Sequence, residues 1–338
     1  MKTLFIGGTG TISMAITKRL VELGWEVTLL NRGGRAAEIP AAVEQIHVDI
    51  NDEAAVAELL KGRHFDTVAD FIGFVPAQVE RDIRLFSGKT NQYIYISSAS
   101  AYHKPCGDYR ITEGTALANP YWEYSRNKIA CEELLMKAYR ETGFPVTIVR
   151  PSHTYDERNM PVGIHGSKGS WQVLKRMLEG KPVIIHGDGT SLWTVTFNTD
   201  FAIGFTGLMG DRHTIGEAYQ ITGDESLTWN QIYATIADAL GVELKAVHVA
   251  SEFLAIDGQN DYTGALLGDK ANTVVFDNSK LKKIVPDFCT HVPFSVGARK
   301  VVDNLLAHPE LQRADPAFDA WCDKVIAALD RAKKEIMD

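Results

Sequence analysis

Gly7-Gly8-Thr9-Gly10 separates a short apolar run, Leu4-Phe5-Ile6, from a segment in which Ile12, Ala15, Ile16, Leu20 and Leu23 recur at helical spacing until Gly24 stops it. A strand, a glycine turn and a helix in that order aim backbone N–H groups of the helix N-terminus at an anion. This is the context a dinucleotide fingerprint requires. Gly7 permits the tight turn, and Gly10, with Thr11 and Ile12 opening the helix, lets the backbone approach a pyrophosphate. Ser13 replaces the third glycine, which in the fingerprint allows close helix–strand packing, so that packing is expected to be loosened.

The same alternation continues. Glu26–Leu30, Gln45–Val48, Thr67–Phe71, Tyr93–Ile96 and Val146–Val149 read as strands, with helices marked by Ala54–Leu60, by Val79, Ile83 and Phe86, and by Tyr124–Tyr139. Strands separated by helix-length segments imply right-handed βαβ units, so the fold class is α/β, a Rossmann-type doubly wound parallel sheet. After Pro151 the rhythm changes. Residues 155–169 read as a loop, Trp171–Leu178 and Thr228–Leu240 as helices, Val183–Ile185 as a strand, and Phe318 to Leu329 as the apolar face of a last helix. Residues 1–155, with a returning segment near 190–220, are expected to form the dinucleotide-binding domain. Residues 156–189 and 221–338 are expected to form a smaller α+β substrate domain.

Composition narrows the function. A net charge of −8 with no Lys/Arg run weighs against a nucleic-acid surface. The longest apolar run, near Phe201 to Met209, is too short to span a bilayer, and no signal peptide is visible. Four cysteines without C-x-x-C spacing fit free thiols in a reducing cytoplasm. No metal signature is present; His153 and His165 have no ligand spacing.

At the end of the second strand, where an acid normally meets the adenosine ribose, stands Asn31, followed by Arg32 and Arg35. Losing the carboxylate removes repulsion against a 2′-phosphate, and arginine offers a bidentate partner. NADP is favoured over NAD, although Asn31 could also bond a ribose. Tyr124 and Lys128, four apart, share one helical face. A cation beside a phenol lowers its pKa from about 10, which makes a general acid/base near neutrality.

The Gly-Gly-Thr-Gly loop, an Ile-Ser-Ser strand end at Ile96-Ser97-Ser98 and the Tyr-x-x-x-Lys helix, in that order, resemble the extended short-chain dehydrogenases/reductases, the NAD-dependent epimerase/dehydratase family. The likeness continues through Asp49-Ile50, Phe71-Ile72-Gly73, Arg150-Pro151-Ser152 and Gly187-Asp188-Gly189, and so covers most of the chain. The resemblance implies a Ser98–Tyr124–Lys128 triad. Serine polarises the reacting oxygen, tyrosine moves the proton and lysine holds the ribose. It further implies cofactor contacts from Asp49, Ile50, Phe71, Gly73, Pro151 and Ser152, and a homodimer built partly on the Tyr124 helix, to which Trp122, Ile129 and Leu135 could contribute.

Departures from the family pattern narrow the reaction. Related 4,6-dehydratases carry Asp-Glu after the serine; here Ala99 and Ser100 follow Ser98, so no carboxyl is available for elimination. Oxidation or reduction, or epimerisation at one carbon, remains. His153 stands where relatives place a substrate-holding Asn, and Trp193 where they place a diphosphate-clamping Arg. Ser100, His153 and Trp193 are therefore the expected substrate side. An aromatic wall with a single N–H donor suits a sugar-like substrate other than a conventional nucleotide sugar. Tyr102, His103, His165 and Lys168 are weaker candidates for the pocket. The strand-two ending Leu-Asn-Arg-Gly also resembles chloroplast stem-loop-binding proteins, so an RNA-associated or cofactor-sensing relative is the competing reading.

Overall fold

The computed structural model describes residues 1–34, 39–256 and 260–337, so Arg35 lies outside the described residues. Seven strands, β1 (Lys2–Ile6), β2 (Glu26–Asn31), β3 (Glu44–His47), β4 (Thr67–Asp70), β5 (Tyr93–Ile96), β6 (Val146–Pro151) and β7 (Ala218–Ile221), form one parallel sheet in the order 3-2-1-4-5-6-7. Five helices cover it: α1 (Thr11–Glu22), α2 (Glu53–Leu59), α3 (Pro76–Phe86), α4 (Glu123–Thr142) and α5 (Asn198–Leu208). Ile6 pairs with Leu30 on one side and Asp70 on the other, so the C-terminal ends of β1, β2 and β4 share one rim.

The doubly wound architecture follows from strand alternation. Phe5, Leu29, Ile94 and Val149 pack with residues of α1 and α5, whereas Leu4, Ile6, Leu30 and Tyr95 pack with residues of α2, α3 and α4. Phe201, Phe205 and Leu208 of α5 are fully buried. Three such side chains contribute on the order of 5–9 kcal/mol before the entropy of ordering them.

The remaining chain surrounds a second core that includes Trp171, Trp193, Phe197, Trp229, Tyr233, Phe294 and Phe318. Its helices end where the sequence dictates. Thr228 Oγ1 accepts from Gln231 N (3.1 Å) while Gln231 Oε1 accepts from Thr228 N (2.8 Å), and Gly241 closes the helix at φ +71°. Among the described residues, no helix is long and apolar enough to cross a membrane.

Two elements of the sheet layer escaped the sequence reading. The apolar run near Phe201 lies in α5, a helix wedged between sheet and α1 and apolar on most of its surface. Ala218–Ile221 returns as the edge strand β7 beside β6. Among the predicted elements that change length, the last helix spans Pro316–Met337 and β6 continues to Pro151.

Candidate active site

The first part of the site lies on the rim of β1, β2 and β4. A cavity of about 580 Å³ is lined there by Gly7, Thr9, Asn31, Arg32, Asp49, Ile50, Asn51, Ile72, Phe74 and Arg81, among others. Gly7 sits at φ +101°, and a Cβ on it would approach Ile72 Cγ2 to 3.0 Å. Asn31 Oδ1 accepts from Gly33 N at 2.7 Å, while its Nδ2 is buried without a partner among the described residues. An orphaned donor on a cavity-lining residue fits a ribose or phosphate oxygen. Asp49 Oδ1 accepts from Asn51 N and Nδ2, both at 2.9 Å, which fixes the turn under Ile50.

Two expectations change here. Ser13 is buried and its Oγ accepts from Gly10 N at 2.9 Å, so it caps the helix instead of loosening it. Gly10 thereby gives its own N–H to Ser13. Thr11, next in line, takes a bond from Arg158 Nη2 (3.4 Å) at Oγ1 and one from Asn198 Nδ2 (3.2 Å) at its carbonyl. Ile12 packs on the α1–α5 core. Phe71 also belongs to that core, edge-on to Phe5 at 5.1 Å, and its neighbours Ile72 and Phe74 form the cavity wall.

The second part lies beyond β5. Ser98 opens a short 3₁₀ turn, Ala99–Ala101, and faces α4. Ser98, Ser100, Tyr124, Pro151, Ser152, His153 and Trp193 share one cavity of about 240 Å³ with Lys104, Trp122, Asp269 and Lys270. A hydroxyl chain orients Ser98. Ser125 Oγ donates to Ser100 Oγ (2.7 Å), which stands 2.8 Å from Ser98 Oγ, and Ser100 N also donates to Ser98 Oγ (3.1 Å). With Ser100 donating onward, Ser98 Oγ accepts twice and keeps its own proton for the Tyr124 oxygen or for a reacting oxygen.

Lys128 is buried, and its Nζ donates to Gly73 O (2.7 Å) and Ile96 O (2.6 Å). Gly73 must be glycine, because a Cβ would collide with Asp70 Oδ2. Burial pulls the Lys128 pKa down to about 8, with Asp70 opposing. The expected lowering of the Tyr124 pKa is not found. Burial raises it, the Ser98 hydroxyl pulls it down, and Asp269 raises it further. Spacing placed both residues on one face, but Lys128 turns its protons to two carbonyls and its Nζ lies 5.8 Å from the Tyr124 ring centre.

Trp193 is buried, stacks on Trp229 at 5.6 Å, and donates through Nε1 to His153 Nδ1 at 3.4 Å. Burial, helped by Lys270, pushes the His153 pKa down to about 3, so the ring is neutral. Trp193 is thus both core and cavity wall. Tyr102 donates instead to Gln220 Oε1 (2.9 Å) and His103 is exposed, so neither lines the cavity. Leu135 of α4 is core and Trp122, just before α4, lines the cavity, so neither is left for an outer surface. His165 Nδ1 lies 2.8 Å from Gly166 O, and Lys168 N donates to Asp315. No group of His, Cys, Asp and Glu suited to a metal occurs among the described residues, and all four cysteines are free.

Lys104, Asp269 and Lys270 were missed by the sequence reading, and Trp122 was named there only for the dimer. None belongs to a motif. They converge only because residues 104–122 and 269–276 meet across the cavity, where Asn119 Nδ2 donates to Gly268 O at 2.7 Å.

A family model described as the NAD dependent epimerase/dehydratase family matches residues 3–222. The chain belongs to that family, and with it to the nicotinamide-dependent enzymes of short-chain dehydrogenase/reductase type, as an oxidoreductase or epimerase. It is similar to 2'-dehydrokanamycin reductase of Streptomyces kanamyceticus, 24% identical over 85% of this chain and 80% of that protein. It is also similar to the chloroplast stem-loop binding protein of 41 kDa b of Arabidopsis thaliana, 26% identical over 73% of this chain and 65% of that protein. Among solved structures, UDP-glucuronic acid 4-epimerase from Bacillus cereus, in complex with UDP-glucuronic acid and NAD, shares the fold. Its TM-score is 0.73 at 20% identity, over 91% of this chain and 99% of that one.

Proposed function

We propose that the chain transfers a hydride between a nicotinamide dinucleotide and a hydroxyl- or keto-bearing carbon of a sugar-like substrate, as an oxidoreductase or single-centre epimerase. The observation that carries this is the convergence of Ser98 and Tyr124 on one cavity, with Lys128 anchored behind them. When bound, the dinucleotide supplies the hydride acceptor or donor. Ser98 offers its own proton to the reacting oxygen, and Tyr124 gives or takes the proton that balances hydride transfer. Lys128 commits two of its three protons to carbonyls, which leaves one for a ribose hydroxyl. Gly7, Asn31, Arg32, Asp49 and Ile50 would hold the adenosine half, and Pro151 and Ser152 border the reactive end. NADP is favoured over NAD, because Asn31 presents an unpartnered donor beside Arg32 where an acid would repel a 2′-phosphate.

Elimination of water is not part of the proposed reaction, since Ala99 and Ser100 replace the acid pair; Asp269 is the one carboxyl among the described lining residues. Trp193 and His153 favour a substrate without a clamped diphosphate. The protein is proposed to act as a cytoplasmic homodimer, with residues 156–189 and 221–338 as the substrate unit. Similarity to a stem-loop binding protein supports a second reading, RNA association. Salt-dependent RNA binding that survives Tyr124→Phe supports that second reading, although net charge −8 weighs against it. The main reading is tested by following reduced-nicotinamide absorbance with NAD and NADP over a panel of sugars, sugar acids and glycosides, with product masses. Oxidation or reduction without loss of water is expected; a dehydrated product, or no turnover on any member, overturns it.

A further inference from the structure

Lys104 is 2% exposed, yet its ammonium has one hydrogen bond among the described residues, to Cys106 Sγ at 3.5 Å. A buried ammonium ordinarily requires a carboxylate or several carbonyl oxygens, because a lone buried charge costs several kcal/mol. Lys104 lines the cavity that also holds Ser98 and Tyr124. Lys270 lines the same cavity, and no hydrogen bond or ion pair of its ammonium is present among the described residues; only its carbonyl is used, by His186, Ser191 and Trp229. Burial raises the Asp269 pKa, and the charges of Lys104 and Lys270 pull it back in part. His153 is neutral. Two lysines and one carboxylate therefore line the cavity, a surplus of one positive group, and among the described residues none of the three side chains is in an ion pair.

We propose that this cavity receives a small polyhydroxylated substrate carrying an anionic group, a carboxylate or a phosphate, whose charge is taken by Lys104 and Lys270 while the reacting carbon lies at Ser98 and Tyr124. This rests on the hydride-transfer reading of Ser98 and Tyr124. The size of the cavity, about 240 Å³, limits the substrate to a compact molecule. It is below the roughly 300–1,000 Å³ of drug-sized sites. Asp269 accepts from a substrate hydroxyl. A cationic substrate would find one acid and two like charges. A neutral one would leave both ammonium groups desolvated and unpaired, which is the arrangement that discriminates most strongly against the wrong ligand.

The test is calorimetric titration of the full chain, saturated with the preferred dinucleotide. The probes are glucose, glucuronate, glucose 6-phosphate and glucosamine, with their galacto counterparts. At least one anionic probe should bind about tenfold or more tightly than its neutral parent, and the carboxylate and phosphate arms then tell the two sources apart. Lys104→Met and Lys270→Met should each reduce that preference at least about fivefold by weakening the anionic probe, and neither should weaken the neutral parent. Methionine keeps the volume of the stem, and Lys104→Met should unfold at or above the wild-type temperature, since no carboxylate loses a hydrogen bond. If Lys104→Met does not fold, Lys270→Met decides alone. Equal or stronger binding of the neutral or amine probes, or no anionic binding up to about 10 mM, overturns the proposal. Hydride transfer on neutral sugars with no anion preference sinks this inference and leaves the hydride-transfer reading intact.

Discussion

Acid should loosen the substrate side of the site through His186. This ring is 1% exposed, lies edge-on to Trp229 at 4.8 Å, and has Nε2 3.2 Å from Lys270 O. With Nε2 as the donor, Nδ1 is a buried lone pair without a partner among the described residues. Protonation would put a second N–H at Nδ1 with no acceptor and a charge against Trp229. Burial accordingly lowers the His186 pKa from 6.5 to about 4. The sign follows from linkage. Between pH 6.5 and about 4 the unfolded chain holds a proton on this residue that the folded chain does not, so stability falls as pH falls. At pH 5 the gap is about 1.5 units at 1.36 kcal/mol each, or about 2 kcal/mol, and it approaches about 3 kcal/mol below pH 4. Urea unfolding of wild type and His186→Gln at pH 7 and pH 5 isolates the effect. Glutamine donates to Lys270 O and does not titrate. The stability advantage of wild type over the variant should shrink by about 2 kcal/mol on acidification, at unchanged m-value. An advantage that is the same at both pH values refutes the reasoning.

Trp193→Ala should destabilise by about 3–5 kcal/mol by removing the stack on Trp229, and should raise KM more than it lowers kcat; chemical denaturation and steady-state kinetics check both. Gly73→Ala should cost about 1–3 kcal/mol and disturb Lys128, because the new methyl collides with Asp70 Oδ2 and presses on the Tyr95 ring; unfolding midpoints and dinucleotide titration report the two effects. Asn31→Asp should weaken NADP relative to NAD by about tenfold or more, measured as paired dissociation constants at fixed salt; an unchanged ratio removes Asn31 from cofactor choice.

The Rossmann sheet was legible because buried parallel strands read as short apolar runs and each is followed by a helix-length segment. Two pieces of the sheet layer were not. The α5 helix is apolar on most of its surface, so it shows no stripe to mark it as a helix, and β7 is a four-residue edge strand separated from its neighbour β6 by residues 152–217. In the site, Tyr124 and Lys128 were visible as spacing and Ser98 through the family resemblance, and Ser98 and Tyr124 line one cavity. Spacing fixes which helical face a side chain occupies but not where its terminal atoms point. That is why Lys128 was expected beside the Tyr124 oxygen and instead bonds Gly73 O and Ile96 O. Phe71 was assigned to the cofactor by its place in the loop, yet the Phe5 and Phe205 rings draw it into the core. Lys104, Asp269 and Lys270 carry no motif, and only the fold brings them together.

The central claim is that Tyr124 handles the proton while the rest of the site binds. Single-turnover hydride transfer by Tyr124→Phe, measured beside its dinucleotide dissociation constant, tests it most directly. The account predicts a rate reduced by about 10²–10⁴-fold with cofactor affinity within about threefold of wild type. A phenylalanine variant that transfers hydride at close to the wild-type rate would contradict it.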